Sequence, residues 1–497
     1  MEEENVVDLK SIKEIIGAVE WQGNLNTVFK EVKYDSRKVK EGDLFVAIKG
    51  YKNDGHDYIK EAVSNGAAAL VIERTPSLGV GVPWLRVRDS RFALSLISAH
   101  INGYPSQKLR IIGVTGTNGK TTTTNLIETV LLHAGKKASL MGTVENRILG
   151  KPIEAKLTTP DSPELQALLA EMAAAGSEYA VMEVSSHALK LKRVAHCEFD
   201  VAVFTNITQD HLDFHPTFED YFNTKAELFY KLHQGVKQGK KYGVVNLDDP
   251  HGKIIAEKAR VPIITYGFSE NAHAVAKDVN IGPKGTNFKI SYEGMELELS
   301  IKLIGRFNVY NVLAAFCVAV NEGIDVELIK EALEKAKGVP GRFEAVDEGQ
   351  DFSVIVDYAH TPDGLKNILE TAREITQGRV ITVFGCGGDR DRTKRPLMGK
   401  AAALYSDYCI ITSDNPRSES PQAIIEDILP GVKKITSGYK VIENRSEAIN
   451  EAVRMAQKGD LVIIAGKGHE TYQIIGSKVY HFDDREEARK ALRRMKK

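Results

Sequence analysis

The chain has 497 residues, with 66 Lys and Arg set against 67 Asp and Glu, for a formal net charge of −1. So even a balance offers no net field to recruit nucleic acid or an anionic membrane, and no basic tract interleaved with aromatic residues is present. No apolar run approaches the roughly 20 residues that cross a bilayer, and the acidic start Met-Glu-Glu-Glu-Asn lacks the apolar core of a secretory signal. The four cysteines, Cys197, Cys317, Cys386 and Cys409, are widely spaced and form no Cys-x-x-Cys pair, which argues against a zinc site or a disulfide framework. A cytoplasmic globular protein is expected. At about 150 residues per domain, its length suggests three domains.

Residues 1–106 mix short strands such as Leu44-Phe45-Val46-Ala47-Ile48 with helical stretches such as 58–65, and end in the turn-rich Asn102-Gly103-Tyr104-Pro105-Ser106. A second segment, 107–339, carries apolar strands at 179–183, 201–205 and 242–246, each followed by a polar loop. The break Gly338-Val339-Pro340-Gly341 introduces a third, 340–497, with buried-type strands at 352–356, 380–384, 408–412 and 461–465. Strands alternating with helices predict parallel sheets covered on both faces, hence an α/β chain of three domains. In such sheets ligands sit at the carboxyl ends of the strands, where the glycine-bearing loops fall.

The second segment opens on a candidate phosphate cradle. Residues 113–121 read Gly-Val-Thr-Gly-Thr-Asn-Gly-Lys-Thr, after the apolar run Leu109-Arg110-Ile111-Ile112 and before a helix-like stretch from 122 to 133. Gly116 and Gly119 let backbone amides turn toward an anion, Lys120 supplies a point charge, and the Thr121 hydroxyl can hold Mg²⁺. The spacing departs from the usual P-loop, since position 114 is Val and glycines stand at 113 and 116 instead. A nucleoside triphosphate is the expected ligand. Further on, Glu183 ends a strand in Met-Glu-Val-Ser-Ser-His, and Asn206, Asp210, His211 and Asp213 follow the next strand. Strand-end carboxylates and a histidine beside a phosphate loop can hold Mg²⁺. Read singly, Asp210 and Asp213 could cap a helix beginning near Phe214, and His187 and His211 could be packed side chains.

The phosphate loop, Glu-Val-Ser-Ser-His, Asn-x-x-x-Asp-His-Leu-Asp and the run Gly305-Arg-Phe-Asn-Val-Tyr-Asn-Val-Leu-Ala-Ala315 resemble the Mur ligase family in sequence and order. Asp-Tyr-Ala-His-Thr-Pro at 357–362, Gly-Cys-Gly-Gly-Asp-Arg-Asp-Arg-Thr-Lys-Arg-Pro at 385–396 and Asp-Asn-Pro-Arg at 414–417 extend the resemblance over essentially the whole chain. It is strongest to members that add the third residue of the peptidoglycan stem peptide. The resemblance implies an N-terminal UDP-binding α/β domain, a central P-loop ATPase domain with a parallel-rich sheet, and a C-terminal Rossmann-like domain. It implies an ATP- and Mg²⁺-dependent ligase that activates a carboxylate as an acyl phosphate, to be attacked by an amine. UDP-N-acetylmuramoyl-dipeptide and meso-diaminopimelate would be its substrates, with no nucleic acid partner, no membrane insertion and a monomeric chain.

Residue by residue, the resemblance assigns Gly116, Thr117, Asn118, Gly119, Lys120, Thr121 and Thr122 to the nucleotide phosphates, with Lys120 bridging the β- and γ-phosphates. Thr121, Glu183, His211 and Lys225, the last as a carbamate, would hold Mg²⁺. Lys225 also reads as an exposed helical lysine. Asn308 and Asn311 fall at adenine-side positions, with Asn311 the expected contact, although Val309, Val312, Leu313 and Phe316 equally give this segment a helical core face. Arg342, Asp357 and His360 would complete the ATP site as the third domain closes, Arg342 and His360 in catalytic roles beside Lys120, Glu183, His211 and Lys225.

Amino-acid selection would lie in the third segment. Arg417 can grip the distal carboxylate that separates diaminopimelate from lysine, and Asp414 can pair with an ammonium. Arg390, Asn415, Gly466 and Glu470 match the remaining contacts, although Gly466-Lys467-Gly468 could be another anion loop and Arg390 and Arg392 surface charges. Ser36 in the first segment, with Thr158, Thr159, Ser185 and Arg193 in the second, would bind the UDP-sugar-peptide. Thr-Thr-Pro-Asp at 158–161 reads equally as a loop and helix cap. The L-lysine-adding relative and a folylpolyglutamate-synthetase-like ligase are the alternatives within the fold, and a non-catalytic nucleotide switch is the alternative outside it. Arg417 argues against the first, and the 106 residues before the phosphate loop against the second.

Overall fold

A computed structural model describes residues 7–50, 53–75, 79–282 and 284–495, so the acidic start lies outside the described residues. The chain packs into two compact units. The first comprises residues up to 113 with 137–200 and 231–241, and the second comprises 114–136, 201–230 and 242 onward.

In the first unit a five-stranded sheet runs in the order Glu20–Gln22, Trp84–Arg86, Ala69–Ile72, Leu44–Val46, Val32–Lys33, with Glu20–Gln22 antiparallel and the other four parallel. Alternation along its strands separates two cores. Leu44 and Val46 pack with Leu9, Ile12 and Ile97 on one face, while Phe45 and Ala47 pack with Ile59, Leu70 and Trp84 on the other. The same unit carries Lys151–Ile153, Asn146–Ile148, Ala138–Met141 and Tyr179–Glu183 as neighbouring strands. The unit boundary falls within the strand Arg110–Thr115.

In the second unit Val201–Phe204, Tyr242–Asn246, Ile263–Gly267 and Ala274–Gly282 pair in parallel succession. An antiparallel meander, Gly285–Tyr292 and Met295–Ile301, then extends the sheet, which the expectation of strands alternating with helices did not include. Its cause is local. Phe288, Ile290 and Tyr292, then Leu297, Leu299 and Ile301, alternate with polar residues, and Gly294 at φ +81° closes the turn between them.

The rest of this unit is a six-stranded sheet ordered Glu344–Ala345, Ser353–Asp357, Leu461–Ala465, Val380–Phe384, Tyr408–Ile411, Tyr439–Val441, parallel except for its first pair. Its central strands are buried on both faces, Leu461 and Ile463 toward one core and Val462 and Ile464 toward the other. The loops following residues 357, 384, 411 and 465 therefore emerge at one edge, the carboxyl edge. Among the described residues no helix is long and apolar enough to cross a membrane.

A fully buried ion pair ties the last helix, Asp484–Met495, to the sheet. Arg445 donates from Nε and Nη2 to Asp484 Oδ1 and Oδ2, each at 2.7 Å, and from Nη2 to the Ala465 carbonyl at 2.9 Å. Removing one partner of such a pair strands the other charge in the core, so Asp484→Ala is expected to lower unfolding free energy by about 3–5 kcal/mol. Urea denaturation checks this, and a change within error would show that Arg445 reaches solvent once its partner is gone.

Candidate active site

The phosphate loop is held from behind by the end of the strand Val201–Phe204. Thr117 N donates to Asn206 O at 2.9 Å, Asn118 N to Asn206 Oδ1 at 3.0 Å, and Thr205 Oγ1 to Asn118 O at 2.6 Å. These bonds leave no room behind Gly116, where an added Cβ would stand 1.9 Å from Thr205 Oγ1. Gly119, at φ +86°, starts the helix Lys120–His133 with no side-chain cap, and its own Cβ would stand 2.5 Å from Asn311 Oδ1. A helix N-terminus that no side chain caps, following a tight glycine loop, suits a phosphate. Lys120 Nζ donates to the carbonyls of Gly116 and Thr117, both at 2.9 Å. Thr121 and Thr122 are buried in the first helical turn.

Of the further expected residues in the same unit, Arg342 and Lys225 bond to this loop, and His211 and His360 gather on Asp210. Arg342 Nη2 donates to Thr121 Oγ1 at 3.0 Å, and its guanidinium stacks over the Tyr358 ring. Lys225, fully buried in the helix Phe218–Tyr230, donates to Gly116 O at 2.8 Å. Burial, and then the neighbouring Lys120, push its pKa well below that of an ordinary lysine, which excludes the exposed-lysine reading. His211, at φ +56°, and His360 flank the buried Asp210, their Nε2 atoms 3.3 and 3.9 Å from Oδ2, and Lys394 Nζ lies 3.8 Å from Oδ1. Burial raises the Asp210 pKa, but the facing His211, His360 and Lys394 outweigh it and hold the carboxyl well below its usual range. His360 is pushed down to about 4 by burial and then by Lys394, so it is neutral at pH 7. The helix expected near Phe214 begins at Phe218, after a turn in which His215 N donates to His211 O.

Two expected nucleotide residues have structural partners. Asp357 accepts from Phe343 N at 2.6 Å and from Ala359 N at 2.7 Å, and burial raises its pKa. Asn311 accepts from Thr123 Oγ1 at 3.2 Å and donates to Asn308 Oδ1 at 3.0 Å, bracing the helix Arg306–Asn321 against the phosphate-loop helix.

The third-segment residues gather at the carboxyl edge of the six-stranded sheet. Asp414 and Asn415 are buried, and Asn415 Nδ2 donates to Glu470 Oε2 at 2.9 Å. Gly466, at φ +122°, leaves space that a Cβ would take 2.6 Å from Asp414 Oδ2. Lys467, fully buried, donates to Asn415 Oδ1 at 2.9 Å and to Tyr472 O at 2.6 Å, and its Nζ stands 3.4 Å from Glu470 Oε2. It therefore braces this cluster from inside. Burial raises the Asp414 pKa, but Lys467 and Arg445 outweigh it and keep the carboxyl ionised; burial and Asp414 raise that of Glu470. Arg417, at φ +53°, donates from Nη1 to Gly388 O at 2.8 Å. A Cβ on Gly387 would lie 2.9 Å from Arg417 Nη1 and 3.8 Å from Arg390 Cγ, so both arginines run close to one glycine.

The first unit holds its own cluster. Thr159 Oγ1 donates to Glu183 O at 2.8 Å and accepts from Ser185 N at 3.1 Å. Arg193 donates from Nη1 to Thr159 O at 3.0 Å, and its Nε pairs with Asp161 at 2.7 Å. Thr158 accepts from Thr143, whose amide and hydroxyl donate to the two Glu183 oxygens at 2.8 and 3.0 Å. Asp161 starts the helix Ser162–Ala174 without a side-chain capping bond; it also accepts from Tyr34 at 3.2 Å. Ser36 donates to Glu61 Oε2 at 2.6 Å on the five-stranded sheet's own substructure.

Family models match this architecture over most of its length. The Mur ligase middle domain matches 114–319, the Mur ligase glutamate ligase domain 341–468, and the Mur ligase family catalytic domain 28–101. The chain belongs to the Mur ligase family. The UDP-N-acetylmuramoyl-L-alanyl-D-glutamate–2,6-diaminopimelate ligase of Syntrophomonas wolfei is 50% identical over 473 residues, 95% of this chain and 96% of its own. Ligase 1 of the same name from Clostridium acetobutylicum is 46% identical over 480 residues, 96% of this chain and 98% of its own. A solved structure of a ligase so named superposes with a TM-score of 0.68 at 34% identity, covering 99% of this chain and 100% of that one.

In this Mur ligase, sequence reasoning passed over Thr143, Asp161 as a partner of Arg193, and Lys394, and read Lys467 only as part of a possible anion loop. Lys467 carried a signal, since it stands between two glycines directly after a buried strand, where a lysine has little surface to occupy. The close approach behind Gly116 gives a sharp expectation. Gly116→Ala drives a methyl into Thr205 and distorts the loop, so affinity for ATP, read by titration calorimetry, is expected to fall by about 3 kcal/mol or more. Unchanged affinity would mean that the loop does not carry the phosphates.

Proposed function

We propose that this Mur ligase joins meso-diaminopimelate to the side-chain carboxylate of the D-glutamate in UDP-N-acetylmuramoyl-L-alanyl-D-glutamate, with ATP as the energy source, in the cytoplasm. The observation that carries the reading is the pairing, in one unit, of a glycine phosphate loop with a carboxyl-edge cluster in which Arg390 and Arg417 both approach Gly387 near Asp414. Full-length relatives at about half identity bear names for this reaction.

A carboxylate is a poor electrophile, and phosphorylation supplies a leaving group. The glutamate carboxylate oxygen attacks the γ-phosphorus of ATP, ADP departs, and the diaminopimelate amine then attacks the acyl carbon and expels phosphate. Catalysis of such a transfer is positioning plus charge stabilisation. Lys120 leaves the loop carbonyls to bridge the β- and γ-phosphates, and Arg342, already on the Thr121 hydroxyl, adds a second fixed charge. His360, neutral and half-buried beside Asp210, orients the reacting groups without adding charge. Thr158, Thr159, Ser185 and Arg193 receive the sugar-peptide, with Ser36 on the uridine side. Arg417 and Arg390 take the distal carboxylate of diaminopimelate, and Asp414 and Glu470 its distal ammonium, leaving the other amine free to react.

Within the second unit, Thr121, His211 and a carbamate on Lys225 are the groups that would hold Mg²⁺. Their chemistry suits a hard cation in that the Thr121 hydroxyl and the carbamate supply oxygen, and Arg342 would have to leave the Thr121 oxygen for a cation to take it. Bound Mg²⁺ supplies charge neutralisation for the phosphoryl group in transfer.

The deciding experiment is phosphate release from ATP with the UDP-dipeptide, comparing meso-diaminopimelate with L-lysine. Turnover with diaminopimelate alone is expected. Turnover with lysine would return the lysine-adding reading, and turnover with neither would return the folate-type ligase and the nucleotide switch.

Lys225 gives a separate expectation. Burial beside Lys120 favours the neutral form of the Lys225 amine, and the neutral amine attacks carbon dioxide to form a new C–N bond while an amine proton passes to water. Labelled bicarbonate should give a carbamate carbon signal by NMR that is lost in Lys225→Arg. Its absence from the unsubstituted protein would rule the carbamate out.

A further inference from the structure

Arg390 and Arg417 sit on different loops, and each loop contains a residue in the left-handed region: Asp389 at φ +55° and Arg417 itself at φ +53°. Such a backbone is uncommon for a non-glycine residue, less so for aspartate, and here each is held by bonds to another segment. Arg417 N donates to Ile474 O at 3.1 Å and its carbonyl accepts from Gly476 N at 2.7 Å, while the hold on Asp389 comes from Glu419, on Arg417's own loop. Glu419 Oε1 accepts from Asp389 N at 2.6 Å, while both carboxylate oxygens accept from Arg395, Nη2 to Oε1 at 2.8 Å and Nη1 to Oε2 at 3.0 Å.

Arg395 lies in the first turn of the helix Lys394–Tyr405 with a fully buried side chain, and its Nη1 also donates to Asp427 Oδ2 at 2.9 Å. Its hydrogen bonds, and that of the Asp389 amide, hold Glu419 down at about 2, so the strut is charged at any working pH. Ser418 Oγ closes the circuit by donating to Asp389 Oδ1 at 2.6 Å. Gly388 is pinned between the loops as well: its amide donates to Asn415 O at 2.9 Å, and a Cβ there would stand 1.9 Å from Pro416 O.

We propose that Glu419 is a positioning residue for amine selection: anchored on Arg395, it ties the loop of Arg390 to the loop of Arg417 and so fixes the spacing of the two forks that receive a distal carboxylate. The inference rests on the diaminopimelate reading and deepens it. Glu419 touches no substrate. A bidentate guanidinium–carboxylate pair fixes both distance and plane, which a single hydrogen bond does not. Two forks at set spacing accept a carboxylate on a side chain of one length, whereas a loosened pair loses that discrimination before it loses catalysis.

The test uses the full chain and the phosphate-release assay. Glu419→Gln keeps the size and an acceptor for Asp389 but loses the charge that Arg395 holds. It is expected to raise the KM for diaminopimelate about tenfold, with kcat and the KM for ATP changed less than about twofold. Ser418→Ala, a milder cut in the same circuit on the exposed side, is expected to raise it about threefold. In an Arg417→Ala background, Glu419→Gln should add less than about twofold, because the group it positions is gone. An unchanged diaminopimelate KM in both variants, equal losses for ATP and amine, or full additivity with Arg417→Ala would overturn the proposal. Absence of diaminopimelate turnover by the unsubstituted protein would overturn the substrate reading and this inference together, whereas normal turnover with any of those three results overturns the inference alone.

Discussion

A strand buried on both faces has few places for polar side chains except where it stops. This constraint organises the second unit. Val201–Phe204 is wholly apolar and ends on Thr205 and Asn206, which bond the phosphate loop. Ser353–Asp357 ends on the carboxylate that accepts from Phe343 and Ala359, and Tyr408–Ile411 leads through Thr412 and Ser413 to Asp414. Because the central strands are parallel, all these endings fall at the carboxyl edge, and polar chemistry concentrates there by exclusion from everywhere else. The reactive groups are where the hydrophobic interior runs out.

Strand-end acids and amides then shape the loops by satisfying backbone donors. Asp357 collects two amides, Glu183 an amide and a hydroxyl from Thr143, and Asn206 the Asn118 amide. A buried amide left unbonded costs on the order of 1–3 kcal/mol, so each such acid selects one loop conformation from many. The glycines complete the selection where backbone must approach closer than a Cβ allows, as behind Gly116.

The apolar part of this plan was legible in the sequence. Tyr179–Glu183, Tyr242–Asn246, Val380–Phe384 and Leu461–Ala465 occupy the residues that continuous apolar runs predicted, since a run bounded by polar loops has one burial solution. The motif residues around the phosphate loop also come together, with Lys120, Lys225 and Arg342 converging on residues 116–121. Buried charge was not legible. Arg395 and Arg445 look in sequence like solvated decoration, and Lys467 like part of an anion loop, because a charged residue is not assigned to the interior unless its partner is known. Their partners, Glu419, Asp484 and Tyr472 O, come from other elements. Asn311 shows the converse: its amide braces one helix against another.

The two halves of the site in the second unit are built from different materials, and this has a physical consequence. A phosphate cradle made of backbone is ordered as soon as the strand and helix form, and it holds any nucleoside triphosphate by the part all share. Recognition of one amine needs long charged side chains, each of which loses rotamer freedom when it grips a ligand. Arg417 and Asp414 lose that freedom during folding instead. Gly388 O already accepts from Arg417, Lys467 and Arg445 hold Asp414 ionised, and Arg395 clamps the loop that follows. Desolvating these cations is unfavourable, and each is offset only by a partner in good geometry. A surface designed for stability alone would replace them with apolar side chains. Their retention in the interior is understandable if they keep a small set of donors and acceptors at fixed spacing, so that binding energy goes into distinguishing one amine from another rather than into ordering the site.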